Sequence, residues 1–319
     1  MKILFAWTGV TSYMASSWRA LSNHQGVSFS AVVENVDSGS AFNADEVFSS
    51  LDVKVVEKGA LSPDIEKPDI LFAVGWHSPM VRSLVERADW ADVPKVCCFD
   101  MPLRKNLRCF AARFVLWRYL RHFDAAYVPG ALAAEYAKWL GFKKIQRGLF
   151  AIDTARFSAA AQNQERKGFL YAGRFSPEKR VEDIKKAYEI YKSRGGKWEI
   201  DFCGQGGRLV SPAEMPSIYS EKSCLLLASS FDPWPLVALE ATAAGCNVIM
   251  SDKCGNRFEL GAARVFKCGD VMALAELMLQ AEDFAHSREE NILKYDSSQW
   301  AKRTLRLADE IVERAKEGA

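Results

Sequence analysis

Arg174 and Lys179 stand just beyond a short apolar run, Leu170-Tyr171-Ala172, and a single glycine, Gly173. A helical repeat of Val181, Ile184, Ala187, Tyr188 and Tyr191 follows, so both cations belong at the carboxyl end of a strand, where the chain turns into a helix. Arg174 offers a planar fork of donors and Lys179 a compact point charge. Together they suit a diphosphate whose negative charge grows as it leaves. Each taken alone also reads as a surface cation beside a helix start.

A second group lies downstream, where Ser229-Ser230-Phe231-Asp232-Pro233-Trp234-Pro235 leads into Leu236-Val237-Ala238-Leu239-Glu240-Ala241-Thr242-Ala243-Ala244-Gly245. Pro235 suits the first turn of a helix and Gly245 its end. Free N–H groups near Leu236 and Val237 would then form an anion site at the helix N-terminus. Asp232 falls in the loop before that helix and Glu240 within it. A carboxylate inside so apolar a helix is costly unless it is partnered or faces a cleft. Two ribose hydroxyls would be a good bidentate partner; capping a loop or pairing with a structural cation is the alternative.

Asp232 and Glu240, eight positions apart with the helix start between them, resemble the Glu-x7-Glu motif of retaining family 4 glycosyltransferases. Gly173-Arg174 with Lys179 looks like that family's donor-diphosphate pair, and Gly204-Gln205-Gly206 resembles its next glycine turn. The likeness spans roughly Phe169–Asp252, and the linked motifs are more specific than any one of them. It implies a GT-B fold, a nucleoside-diphosphate sugar donor (UDP- or GDP-sugar first), transfer with retention, and no required metal or other cofactor. By position Glu240 would hold the ribose hydroxyls, Asp232 a donor-sugar hydroxyl, and Arg174 and Lys179 the diphosphate, with Gly173, Gly204, Leu236 and Val237 shaping the donor site. Two departures bear on donor identity: the first acid is Asp, with a shorter reach, and Pro235 stands where the family commonly has Gly, which removes one N–H donor.

The first half carries fainter signals. Trp7-Thr8-Gly9-Val10-Thr11 is a small-residue turn where the family has a glycine loop beneath the donor phosphates, and Gly9 joins the donor-binding candidates; a plain strand-to-helix turn reads equally well. The runs ending in Gly75-Trp76-His77 and Phe99-Asp100 present a histidine and an acid at neighbouring strand ends. The family often has a His near the reacting carbon at about the second place, where this chain has Asp100. Asp100 and His77 are therefore the catalytic candidates that would orient an acceptor or donor hydroxyl, with turn capping as the alternative for each. Between Leu103 and Phe123 lie Arg104, Lys105, Arg108, Arg113, Arg118, Arg121 and His122, interleaved with aromatic and aliphatic residues and with no acid. Such a segment either makes peripheral contact with an anionic membrane, which would suit a lipid-linked acceptor, or is a core helix with its arginines turned outward; the apolar stripe favours the second.

The elements that position these residues alternate apolar runs of strand length with longer helical repeats, the pattern of mostly parallel α/β sheets. We expect strands at Lys2–Ala6, Ser28–Val33, Ile70–Val74, Lys95–Phe99 and Ala125–Val128, then at Phe169–Ala172, Glu199–Phe202, Ser223–Leu227, Asn247–Met250 and Arg264–Phe266. Two Rossmann-like domains follow, 1–157 for the acceptor and 158–297 for the nucleotide-sugar donor, with a linker near 157–167. A terminal amphipathic helix, 298–319, would pack back on the first domain. Two such domains facing each other would bring the carboxyl ends of both sheets to one cleft.

The 319 residues are 49% hydrophobic and 26% charged, an ordinary globular composition. A net charge of +2 gives no bulk attraction to nucleic acid. The eight cysteines lack Cys-x-x-Cys spacing, which argues for reduced, buried thiols in a cytoplasmic protein and against a zinc site. No run is long enough to span a bilayer, so the expected location is the cytoplasm, peripheral at the inner face of the membrane if the basic segment docks there. The functional expectation is a glycosyltransferase acting on a glycan or lipid-linked acceptor in cell-surface polysaccharide or glycoconjugate synthesis. The alternatives are a sugar-nucleotide epimerase or hydrolase of the same fold and a non-catalytic nucleotide-sugar-binding homologue.

Overall fold

A computed structural model describes residues 1–9, 12–34, 48–104, 106–159, 166–284 and 290–317. The chain divides into two compact units, Met1–Ala151 with Ser297–Ala319, and Ile152–Asp296.

The first unit is built on seven parallel strands: β1 (Lys2–Thr8), β2 (Ser28–Glu34), β3 (Val53–Val56), β4 (Ile70–Val74), β5 (Lys95–Cys98), β6 (Ala125–Val128) and β7 (Ile145–Arg147), in the spatial order β3-β2-β1-β4-β5-β6-β7. Helices α1 (Ser12–Ser22), α2 (Pro79–Val85), α3 (Leu107–Val115), α4 (Trp117–Leu120) and α5 (Ala131–Leu140) complete the crossovers described. The central strands are mostly apolar because helices cover both faces of a parallel sheet; Ile3, Leu4, Phe5 and Ala6 are fully buried. Phe5 pairs in register with Phe72 and their rings stack 4.9 Å apart. Trp18 of α1 closes over Phe5 and Phe29, at 5.7 and 5.4 Å.

The second unit has five parallel strands, β8 (Phe169–Ala172), β9 (Ile200–Cys203), β10 (Cys224–Leu227), β11 (Asn247–Ser251) and β12 (Arg264–Phe266), ordered β12-β11-β10-β8-β9. Its helices include α6 (Thr154–Ala159), α7 (Val181–Ser193), α8 (Met215–Glu221), α9 (Leu236–Ala243) and α10 (Val271–Gln280). Strand order reverses between β8 and β10, and ligands of open α/β sheets bind at the carboxyl ends of the strands at such a reversal. The segments identified above as chemical follow those two strands.

The terminal helix α11 (Ser297–Glu317) belongs with the first unit. Its Trp300 is fully buried, with the indole N–H donating to Leu149 O at 2.6 Å, and the Ser16 and Ser297 hydroxyls meet at 2.9 Å. The division of the chain falls at 151/152 rather than 157/158. Beyond it Ile152 N–H donates to Tyr295 O at 2.9 Å, Thr154 Oγ1 donates to Asp296 at 2.7 Å, and α6 packs on α8 and α9. Most of the expected linker, residues 160–165, lies outside the described residues.

Candidate functional site

The turn after β8 is fixed by backbone contacts that tolerate no side chain at one position. Gly204 approaches Gly173 so closely that a Cβ on it would lie 2.3 Å from Gly173 O, and its φ of +114° is one that L side chains rarely adopt. Gly173 N–H donates to Cys203 O at 2.9 Å and Phe175 N–H to Gln205 O at 2.8 Å, so the two glycine turns form one ledge. The buried ring of Tyr171 sends its hydroxyl to Arg174 O at 2.7 Å. This pins the Arg174 backbone and leaves its side chain exposed; no ion pair within 4.0 Å holds the guanidinium among the described residues.

A single 3-10 turn, Pro177–Lys179, then brings Lys179 back over the sheet. It ends at Arg180, held at φ +50°, an uncommon conformation for a non-glycine residue. Arg180 Nε donates to Asp183 at 2.6 Å in the first turn of α7. The Ser176 hydroxyl donates to Glu178 and holds that carboxyl below its ordinary range.

Lys179 and Asp232, assigned from the sequence to different parts of a donor, are in direct contact: Lys179 Nζ donates to Asp232 Oδ2 at 2.6 Å, with the side chains only 22% and 11% exposed. The two loops are joined by backbone as well, since Ser230 N–H donates to Glu178 O at 2.7 Å. From the far side the segment after β11 clamps the Asp232 loop. Asp232 N–H donates to Lys253 O at 3.3 Å and Gly255 N–H to Asp232 O at 2.8 Å. A Cβ at Gly255 would sit 1.7 Å from Pro233 O. Buried Asn256 donates its amide to Pro235 O at 3.0 Å.

Pro235 is the N-cap of α9, with ψ 99°, rather than a residue of its first turn. Being one position earlier, it leaves the N–H groups of both Leu236 and Val237 without a backbone acceptor among the described residues, so the helix start keeps the anion-binding potential read from the sequence. Glu240 lies on the second turn and is half-buried. Tyr219, fully buried on α8, donates its hydroxyl to Glu240 Oε2 at 3.0 Å. Burial raises the Glu240 carboxyl above its ordinary range, against the opposing pull of the Tyr219 hydrogen bond and the Arg156 charge. The neutral phenol satisfies one oxygen without neutralising the carboxylate.

In the first unit the reversal of strand order falls between β1 and β4. Gly9, at φ +68°, ends β1 and its N–H donates to Glu34 O at 3.2 Å; Val10 and Thr11 lie outside the described residues. Gly75 ends β4, where a Cβ would meet Thr8 Oγ1 at 2.7 Å. His77 is exposed and Asp100 half-buried, beyond the carboxyl ends of the adjacent strands β4 and β5, with the Trp76 and Phe99 rings 5.6 Å apart. Tyr219, Gly255 and Asn256 went unremarked in the sequence, and Ser230 was quoted there without a role. They carry no motif, and the partner of each is 21 or more residues away.

All eight cysteines are free, seven of them buried. Among the described residues no group of three or more His, Cys, Asp or Glu side chains is placed to hold a metal ion.

Residues 207–295 match the family model for glycosyl transferases group 1. The matched residues lie within the second unit. Among curated proteins no sequence matches the chain. Solved glycosyltransferase structures match it over nearly its whole length. A lipopolysaccharide outer core galactosyltransferase, WaaB, aligns at a TM-score of 0.65 and 14% identity, covering 97% of this chain and 99% of that one. A UDP-forming alpha,alpha-trehalose-phosphate synthase from Burkholderia vietnamiensis aligns at 0.74 and 10%, covering 98% and 100%. The sucrose-phosphate synthase of Thermosynechococcus elongatus aligns at 0.67 and 13%, covering 98% and 99%. The chain has the GT-B glycosyltransferase fold. The segment matched by the family model includes Asp232, Glu240, Gly255 and Asn256, while Arg174 and Lys179 precede it.

Proposed function

We propose that this glycosyltransferase binds a nucleoside-diphosphate sugar in its second unit and transfers the sugar with retention to a hydroxyl of a glycan or lipid-linked acceptor. The observation that carries the reading is the convergence of an exposed Arg174, the Lys179–Asp232 pair and the open N-terminus of α9 at the β8/β10 reversal, with Glu240 one turn further along the same helix. Arg174, Lys179 and the Leu236 and Val237 N–H groups receive the diphosphate. Glu240 receives the ribose hydroxyls on the oxygen that Tyr219 leaves free, and Asp232, released from Lys179 as the phosphates take that cation, receives a sugar hydroxyl.

In the chemical step the acceptor oxygen bonds to the anomeric carbon as the bond from that carbon to the phosphate oxygen breaks. The nucleoside diphosphate departs with the bonding pair, and the acceptor proton passes to one of its phosphate oxygens. Attack comes from the face the diphosphate leaves, so configuration is retained and no protein base is required. The cations and helix N-terminus act where charge develops, which is the largest lever in reactions of this kind. Asp100 and His77 orient the acceptor hydroxyl. UDP- and GDP-sugars are the first donors to test, with no metal added. A cytoplasmic location with peripheral membrane contact through residues 103–123, and a role in cell-surface polysaccharide or glycoconjugate synthesis, accompany this reading.

Incubating the enzyme with radiolabelled UDP- and GDP-sugars and a panel of glycan and lipid-linked acceptors, in EDTA, tests it. Labelled acceptor with the donor's anomeric configuration supports transfer with retention. Free sugar or an epimerised nucleotide sugar as the sole product would instead establish the hydrolase or epimerase alternative, and binding without any product the non-catalytic one.

A further inference from the structure

The segment read from its apolar stripe as a core helix does not bury that stripe. It folds as α3 and α4, and among its described side chains from 103 to 121 only Cys109, Tyr119 and Leu120 are buried, with Ala112 and Leu116 partly so. Leu103, Leu107, Phe110, Phe114, Val115 and Trp117 are all exposed, from 40% at Leu103 to 87% at Leu107. Among the described residues these six are nearly half of the thirteen large hydrophobic side chains so exposed, gathered within fifteen positions. Positions 107, 110 and 114 of α3 follow the helical three-and-four spacing, so their side chains share one outward face, and exposed Trp117 opens α4 directly after it. Scattered surface hydrophobes need no explanation, but a contiguous patch of this kind marks an interaction site.

The charge around the patch says what it meets. No carboxylate occurs between Asp100 and Asp124. Arg113, Arg118 and Arg121 are exposed, and none of them has an ion-pair partner within 4.0 Å among the described residues. Arg113 lies over the neighbouring Trp139 ring at 5.6 Å and Arg121 over Trp117 of the patch at 5.4 Å. Beside Phe110 an apolar groove of about 470 Å³ runs between Leu103, Leu107 and Trp139, with Arg104 at its edge. Among the described residues no helix is long and apolar enough to cross a membrane.

We propose that the outward face of α3 and α4 is a docking surface for an anionic lipid bilayer. Phe110, Phe114 and Trp117 enter the interface between headgroups and acyl chains, while Arg113, Arg118 and Arg121 meet lipid phosphates. Aromatic rings ringed by cations are the composition that favours this boundary. Docking would hold the enzyme where a lipid-presented acceptor is found, and in that respect it rests on the transferase reading above; the binding itself involves no donor.

Co-sedimentation of the purified full chain with phosphatidylcholine vesicles, with and without a third of phosphatidylglycerol, tests it. We expect binding to the anionic vesicles, weakened by raising salt from about 0.05 to 0.5 M, and little to the neutral ones. Removing the three charges, as Arg113→Gln, Arg118→Gln and Arg121→Gln together, should weaken anionic binding on the order of a hundredfold, at roughly fivefold per arginine. Phe114→Ser with Trp117→Ser should weaken it comparably, and both variants should keep the wild-type melting temperature because the side chains are exposed. Absence of wild-type binding to anionic vesicles, equal binding to neutral ones, indifference to both sets of substitutions, or sedimentation without vesicles through self-association would each overturn the proposal. Nucleotide-sugar binding, measured separately without vesicles, reports on the transferase reading whatever the vesicles show.

Discussion

Replacing Lys179 by Met separates the structural from the chemical role of the Lys179–Asp232 pair. At 2.6 Å and an effective dielectric of about 20, the gross attraction is about 6 kcal/mol, offset by several kcal/mol of desolvation for each ion. Stranding one member of a fully buried pair costs about 3–5 kcal/mol; here the lysine retains some exposure to water, so we expect about 2–3 kcal/mol for Lys179→Met. Asp232→Asn should cost less, about 1 kcal/mol, because a lysine on a four-carbon stem can swing into water, whereas Asp232 is held by its backbone bonds to Lys253 and Gly255. The double variant should fall near the milder single one, a coupling of about 2–3 kcal/mol. Urea denaturation of the four proteins, monitored on the second unit's transition, gives these values. Equal single costs that add in the double variant to within about 0.4 kcal/mol would refute the reasoning, because independent sites add to that tolerance.

Other perturbations have equally definite outcomes. Because burial raises the Glu240 carboxyl in the folded chain above its ordinary value of 4.5, the folded state binds more protons than the unfolded one between those two values, and Glu240 destabilises the fold increasingly as pH rises through that window. Glu240→Gln should therefore melt higher than wild type at pH 7 in the absence of ligand, with the gap closing below about pH 4.5; a lower melting temperature at pH 7 would contradict it. Gly255→Ala places a Cβ 1.7 Å from Pro233 O, and we expect a loss of about 3 kcal/mol, the upper range for overpacking, with donor affinity falling as Asp232 and the start of α9 are displaced. In the first unit, Trp300→Phe removes the donor to Leu149 O from a fully buried site and should cost about 2–3 kcal/mol of that unit's stability in denaturant melts.

Ten of the twelve strands among the described residues could be read directly from their apolar runs. The two that could not, β3 and β7, are the edge strands of the first sheet; Val53–Val56 and Ile145–Arg147 contain no buried residue, so neither carries the hydrophobic signature of a covered strand. The candidate site residues could be picked out one by one because most sit where a strand ends or a helix begins, and Glu240 because it interrupts an apolar helix. Their pairing was not: Lys179 and Asp232 are 53 positions apart, and nothing local states that the cation and the acid meet. Glu240 could be recognised as a costly carboxylate, yet Tyr219, which partly offsets that cost, lies on a helix that carries no motif. The segment from 103 to 121 misled because periodicity shows that an apolar face exists and not that the fold covers it. Here the inward side is made by Cys109, Ala112, Leu116, Tyr119 and Leu120, leaving the larger stripe outside.

The donor site itself is tested most directly by thermal shift of the purified enzyme against UDP-, GDP- and ADP-sugars in EDTA, comparing wild type with Arg174→Ala and Glu240→Gln. We expect one nucleotide class to raise the wild-type melting temperature by on the order of 5 °C at a hundredfold excess over Kd. Arg174→Ala, whose side chain is exposed, should leave the ligand-free melting temperature unchanged, and both variants should lose most of the ligand-induced shift. No stabilisation by any of the three classes at saturating concentration, or a shift retained in full by both variants, would contradict a nucleotide-sugar site built on Arg174, Lys179 and Glu240.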